Sequence, residues 1–355
     1  MVIIYIRISN QKWRVLKEVI KLLEERKKKV LKAIVEEYIN TAEPVSSNSI
    51  VNNYDLNYSS ATIRNEMADL EKIGLLEKTH TSSGRVPSEK GYRYYVDELI
   101  KEDNISLEEV KYISDKLETK VNEIEELTKI AANTISEVTH YTAVSIGPKT
   151  NKQIIDNIKF VLLNTRMMLA IILTDAGLVK ETIIKFDEDV NEKQVETMNY
   201  MFNNKLKGEP IEKIDRPLEE YLYDEMTYSV KVIKPVIEQI KKALGEEQLH
   251  LEGANKSFEL PEFNSLEVAK NFVNILDKKD LVEDVLESGL AEDINVYIGE
   301  ENKQDELKDF SVVTFKHKVG DKDLGTIGII GPKRMDYSKV ISVMKYINKK
   351  LKDIE

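Results

Sequence analysis

The chain of 355 residues has no cysteine, only four histidines and no apolar run approaching the roughly 18 residues of a membrane-spanning helix. Without cysteine there are no disulfides, no cysteine-ligated zinc and no thiol nucleophile, a composition that suits the reducing cytoplasm. His80, His140, His250 and His317 are scattered, and no two stand at metal-ligand spacing. No phosphate-binding loop, nucleophile elbow or dinucleotide fingerprint occurs. Gly325-Thr326-Ile327-Gly328 with Gly331-Pro332 is glycine-rich, but it lies inside a β-type run and reads as tight strand packing. Internal repeats and low-complexity tracts are also missing. No catalytic residue, metal or cofactor is therefore expected, and an enzyme is not.

What is present is a globular balance, 41% hydrophobic and 32% charged, with length for two or three domains. The net charge of −11 is unevenly spread. Residues 1–101 hold 17 Lys and Arg against 14 Asp and Glu, a net of +3, while the remainder carries −14. An acidic body repels phosphate and a mildly basic first hundred residues does not. Residues 1–22 open on the short apolar run Met1–Ile8 with no small-residue cleavage site, so a signal peptide is not expected. The expectation is that translation starts near Leu22 or Leu23, the alternative being an additional arm.

From Arg26 the period is helical, with Val30, Leu31, Ile34, Val35, Tyr38 and Ile39 on one stripe, and Pro44 ends that helix. Ser46 caps a second short helix carrying Ile50 and Val51, and Ser59 caps a third that stops at Gly74. In the third, Ile63, Met67 and Leu70 recur at i, i+4, i+7 and seek a core. The opposite face carries Ala61, Asn65 and Ala68, flanked by Thr62 and Arg64. These are small or hydrogen-bonding side chains, the types that read base edges. Leu75–Lys78 predicts a strand, Ser82-Ser83-Gly84 a turn, and Ser88 the start of a helix with Tyr92, Tyr95, Val96 and Leu99 inside. Three helices, a wing and a fourth helix predict a winged helix-turn-helix.

The candidate DNA contacts follow. Ser59, Ser60 and Thr62 stand at a helix N-terminus, where hydroxyls and amides bind phosphate. Asn65 suits adenine, Arg64 guanine or phosphate, and Ala61 a thymine methyl. Arg85, placed at the wing tip, is a minor-groove candidate or else a solvated turn arginine. Ser46 joins them, as does Lys28 of the run Arg26–Lys29, which reads either as a phosphate contact or as a solvated face.

Residues 104–140 are helical, with Leu107, Val110, Ile113, Leu117, Val121, Ile124 and Leu127 in register for an internal core, or for a dimer seam. After Pro148 the runs Ile158–Leu163, Met167–Thr174 and Leu178–Phe186 predict strands. A charged helical block interrupted at Pro210, Pro217 and Pro235 follows to about residue 250. Strands resume at Ile294–Ile298, Phe310–Val319 and Leu324–Ile330, and a helix closes the chain over Tyr337–Leu351. This order predicts an α+β domain interrupted by an insertion.

Four blocks near the start, Ala33–Ile39, Glu43–Ser47, Ser59–Met67 and His80–Pro87, resemble the family of heat-inducible transcription repressors HrcA. Gly325–Tyr337 is similar to that family's closing signature. The resemblance runs from about Leu23 to the end, and residues 1–22 have no counterpart in it. It implies a multidomain α+β protein: an N-terminal extension at 1–22, the winged helix at 23–101, a GAF-like domain at 102–186 and 251–355, and a mainly helical dimerising insertion at 187–250. It further implies a homodimer that represses chaperone operons from an inverted-repeat (CIRCE-type) operator on double-stranded DNA, under the control of temperature and the GroEL chaperonin. The alternative is a regulator gated by a small molecule bound in the GAF-like domain.

Overall fold

The computed structural model describes residues 23–79, 84–100, 105–117, 124–147, 154–175, 177, 179–211, 230–245, 249–287, 294–319 and 322–353. The expectations for residues 1–22, for the wing turn and for Val121 lie outside these.

The first unit, the head, is built as its pattern predicts. Helix α1 (Glu25–Thr41) buries Val30, Leu31, Ile34 and Val35 and ends at Ala42, whose N–H bonds Tyr38 O two residues before the proline. Helices α2 (Ser47–Asn53) and α3 (Ser60–Lys72) begin at Ser46 and Ser59, whose hydroxyls accept from Ser49 N and Thr62 N. Strands β1 (Leu76–Lys78) and β2 (Arg85–Pro87) pair antiparallel as the wing. Val45 adds a rung by exchanging both backbone bonds with Arg85. Ser88 caps α4 (Glu89–Tyr94), which continues as a π-helical turn at Tyr95–Leu99.

Helices α5 (Leu107–Leu117) and α6 (Ile124–Thr139) lead into β3 (Thr142–Ile146). The chain then leaves for a separate unit: β4 (Ile155–Asn164), β5 (Met167–Thr174) and β6 (Val179–Lys185) form an antiparallel sheet in that order, followed by α7 (Glu192–Leu206) and α8 (Val230–Gly245). It returns with β7 (Leu249–Glu252), α9 (Leu266–Asp277), α10 (Lys279–Glu287), β8 (Asn295–Ile298), β9 (Phe310–Val319), β10 (Lys322–Pro332) and α11 (Tyr337–Lys352). The second sheet, of order β7-β3-β10-β9-β8, is antiparallel throughout. Alternation along its strands sends Ala143, Phe315, Ile327 and Ile329 towards α6 and α11. Val144, Val312 and Ile330 go towards α9 and α10. The glycine-rich stretch lies in β10 as expected. A Cβ on Gly328 would stand 2.5 Å from a Leu286 methyl, so a side chain there would force the buried Leu286 of α10 to shift.

One expected boundary is corrected. A break at 186/187 assigns β4–β6 to the GAF-like part, yet Ile158, Phe160, Met168, Ile172 and Ile184 bury against Met198, Phe202, Ile233, Val236 and Ile240 of α7 and α8. The strands and the helices after them share one core, so the insertion spans about 154–245 and carries its own sheet. Asn199 and Asn203, one turn apart on α7, close that sheet at β4. Asn203 accepts from Ile158 N and donates to its carbonyl, and Asn199 does the same for Phe160. The core of the head, by contrast, is continuous with that of the body. A single buried cluster runs from Val30, Ile34 and Ile63 through Tyr92 and Tyr95 to Val296, Val313, Tyr337 and Met344 of the body.

Candidate nucleic-acid interface

Helix α3 divides its residues as its period requires. Ile63, Met67 and Leu70 are buried, whereas Ala61, Arg64 and Asn65 are exposed and Thr62 and Ala68 half-buried. Ser59 does two things at the start of the helix. Its Oγ accepts from Thr62 N at 3.1 Å and lies 2.9 Å from Thr62 Oγ1. This stops fraying and leaves the first-turn amides directed outward. Ser46 plays the same capping part for α2, accepting from Ser49 N at 3.1 Å.

Ser60 is committed elsewhere. Its hydroxyl donates to Asn48 Oδ1 at 2.6 Å, which leaves its oxygen to accept from Ser47 Oγ at 2.9 Å. The link ties α2 to α3 and holds the angle between the two helices. Glu37 holds α2 from the other side: its Oε1 accepts from Ser49 Oγ at 2.6 Å and from Asn53 Nδ2 at 2.7 Å.

Two placements differ from the expectation. Arg85 opens β2 at the end nearest the wing turn, where the pairs Lys78↔Arg85 and Val45↔Arg85 fix the backbone, but its side chain turns back towards α3. Its Nε donates to Glu71 Oε2 at 2.7 Å, so the guanidinium braces the wing against the end of α3. The basic run is also largely neutralised. Arg26 donates to Glu66 Oε1 at 2.6 Å, Lys27 lies 3.1 Å from Glu66 Oε2, and Lys28 donates to Glu25 at 2.8 Å. The Glu66 carboxylate raises the pKa of Lys27, and Glu25 that of Lys28, so both stay charged.

Asn48, Glu37 and Glu66 carry no mark as single residues. A positional signal does exist for the two glutamates. Glu37 continues the apolar series Val30, Ile34, and Glu66 lies between Ile63 and Leu70, so each carboxylate occupies a core-facing position that demands a partner.

Residues 21–98 match the family model described as the winged helix-turn-helix transcription repressor, HrcA DNA-binding, and residues 125–341 match the HrcA protein C-terminal domain. A heat-inducible transcription repressor HrcA from Ruminiclostridium cellulolyticum is 39% identical over 336 residues, 93% of this chain and 97% of the relative. That of Acetivibrio thermocellus is 38% identical over 340 residues, 93% and 96%. A crystal structure described only as that of a hypothetical protein superposes with a TM-score of 0.65 at 26% identity, covering 93% of this chain and 98% of the other.

Proposed function

Because the chain belongs to the HrcA family of heat-inducible transcription repressors, we propose that it acts in the cytoplasm as a dimer on an inverted-repeat (CIRCE-type) operator of chaperone genes, with activity modulated by temperature and by the GroEL chaperonin. The observation that carries the DNA part is the division of α3, whose apolar face is buried while Ala61, Arg64 and Asn65 are exposed. In this reading those three meet base edges, and Ser59, Thr62 and Ser46 meet the phosphate backbone at helix starts. Ser60 and Arg85 hold the reading elements in place, and Lys28 would reach a phosphate by exchanging its Glu25 partner for it.

Dimerisation is supported by the insertion. The face of its sheet turned away from α7 and α8 carries Val161, Leu163 and Ile183, which are 40%, 50% and 49% exposed, with Leu169, Ile171 and Leu173 half-buried among them. Such a patch on an otherwise charged chain marks an interface. The asparagines on α7 occupy the β4 edge, so a second copy would not extend the sheet from that side, and the apolar face is the surface it would cover. The cross-strand row Lys159↔Ile171↔Glu181 suits a two-fold axis along β5, which sets Lys159 of one copy over Glu181 of the other.

The test is fluorescence anisotropy with a labelled inverted repeat from a chaperone promoter against a scrambled duplex, between 50 and 200 mM salt. The operator should bind more tightly, with affinity falling steeply as salt rises. Equal affinity for both duplexes would refute the reading. Addition of GroEL should raise operator occupancy and an unfolded client should lower it. An occupancy indifferent to both removes the chaperonin from the proposal.

A further inference from the structure

Head and body exchange charged side chains, each unit sending an arginine into the other. Arg93, on α4, has a side chain only 3% exposed. Its Nε donates to Glu301 Oε1 at 2.8 Å, and Nη2 donates to Glu301 Oε2 and to Val296 O. Nη1 faces Asp97 at 3.4 Å. Arg334, just past β10, carries the reverse traffic. Within the body its Nε and Nη2 donate to Glu262 Oε1 and Oε2 at 2.5 and 3.1 Å, and this fork aims Nη1 across the junction, where it donates to Ile39 O in the last turn of α1. A cation suits that carbonyl end. A third link lies at the start of α4. Glu89 accepts from Lys333 Nζ at 3.0 Å and from Glu300 N at 3.2 Å. Residue 299 must be glycine for that approach, since φ is +54° and a Cβ would stand 2.1 Å from the Glu89 carboxylate.

Apolar contact across the same junction, such as Tyr92 against Tyr337 with ring centres 5.8 Å apart, is non-directional and tolerates sliding. A buried guanidinium–carboxylate fork does not. It is planar and two-pronged, and displacing either partner strands a charge in the interior. Such pairs contribute little net stability over apolar residues of the same volume. What these add here is orientation.

We propose that Arg93 and Arg334 are positioning residues for operator binding. They lock the winged helix onto the five-stranded domain in one orientation, so that the body of the dimer, and not a hinge, sets the distance between the two α3 helices. The consequence for half-site spacing rests on the dimeric-operator reading above; the lock itself does not.

Two measurements on the full chain test it. The absence of cysteine allows paired spin labels through Asn52→Cys on the head and Asp284→Cys on the body, both exposed, with labelled chain diluted into unlabelled. The parent should give one narrow distance. Arg93→Met and Arg334→Met should broaden it, as should the milder Glu301→Gln and Glu262→Gln, which keep size and fold if the arginine variants do not. In parallel, operators with one or two base pairs inserted between half-sites should bind the parent about tenfold more weakly and the variants only about two- to threefold more weakly, with single half-site binding unchanged. A purely structural role would instead lower affinity for every spacer alike. A narrow distance in all four variants overturns the lock. A broadened distance with the parent's spacer profile overturns the positioning role. A parent with a narrow distance but no spacer preference sinks the operator reading, and the comparison of distances still decides the lock.

Discussion

Asn65 stands on the exposed face of α3 one turn beyond Ala61, with Arg64 exposed beside it. Neither side chain is needed for the core, so replacing them should cost recognition and spare stability. Arg64→Ala and Asn65→Ala should each reduce discrimination between operator and scrambled DNA by about 1–3 kcal/mol if the contact is bidentate. Parallel anisotropy titrations and thermal melts check this, and an unchanged ratio removes the residue from the readout. Tyr141 lies nearer the junction, 7% exposed, its hydroxyl accepting from Asp336 N at 3.0 Å. Burial pushes this phenol up to about 12 against the Asp336 N–H bond, with the Asp336 charge adding to the rise. An unfolded tyrosine loses its proton near 10, so between these values the unfolded state binds fewer protons and stability falls as pH rises. Tyr141→Phe should flatten that decline, read from urea midpoints between pH 9 and 12; identical slopes would refute it. Ile63, Met67 and Leu70 were legible from spacing alone. The partner of Arg85 was not, because Glu71 and Arg85 meet only once the wing has folded back on α3.

Among the elements, the helix starts were the most legible part of the chain, since a capping hydroxyl followed by an apolar stripe is a local signal. Ser46, Ser59 and Ser88 each accept from the amide three residues on. Ser59→Ala should cost about 1 kcal/mol in urea denaturation and loosen the first turn of α3. Amide exchange that is unchanged at Ala61 and Thr62 would show the cap to be dispensable. Pro235 was expected to interrupt a helix, yet α8 runs through it, because Ile233, Val236, Ile237 and Ile240 around it are buried and packing outweighs the lost hydrogen bond. Strand positions were legible from alternation, but alternation does not say which sheet a strand joins. That is why a boundary at 186/187 separates β4–β6 from the helices they pack on. Packing between distant elements decides membership, and no local pattern carries it.

Over the whole molecule, the charge split between the first hundred residues and the rest was visible in the composition, and the exposed face of the insertion was not. Ile183→Glu places a carboxylate on the β6 side of that face and, if the face is the proposed dimer interface, should leave the chain monomeric in sedimentation velocity. Binding to the full inverted repeat should weaken with it while affinity for one half-site is kept. A dimer that persists would move the interface elsewhere. At the junction, Arg93→Met leaves Glu301 without its guanidinium, and such a loss should cost about 3–5 kcal/mol of global stability, measured by urea unfolding. A loss under about 1 kcal/mol would mean that water reaches Glu301 freely.

The shared cluster that continues from Ile63 to Met344 also limits what an engineer can borrow. A winged helix cut from this chain and grafted to another effector would expose Tyr92 and Tyr95 and strand Arg93 in a foreign surface. Portability would require a transplant of the docking strand β8 and the Gly325–Tyr337 signature along with it, and a chimera lacking them should precipitate before it ever meets a promoter.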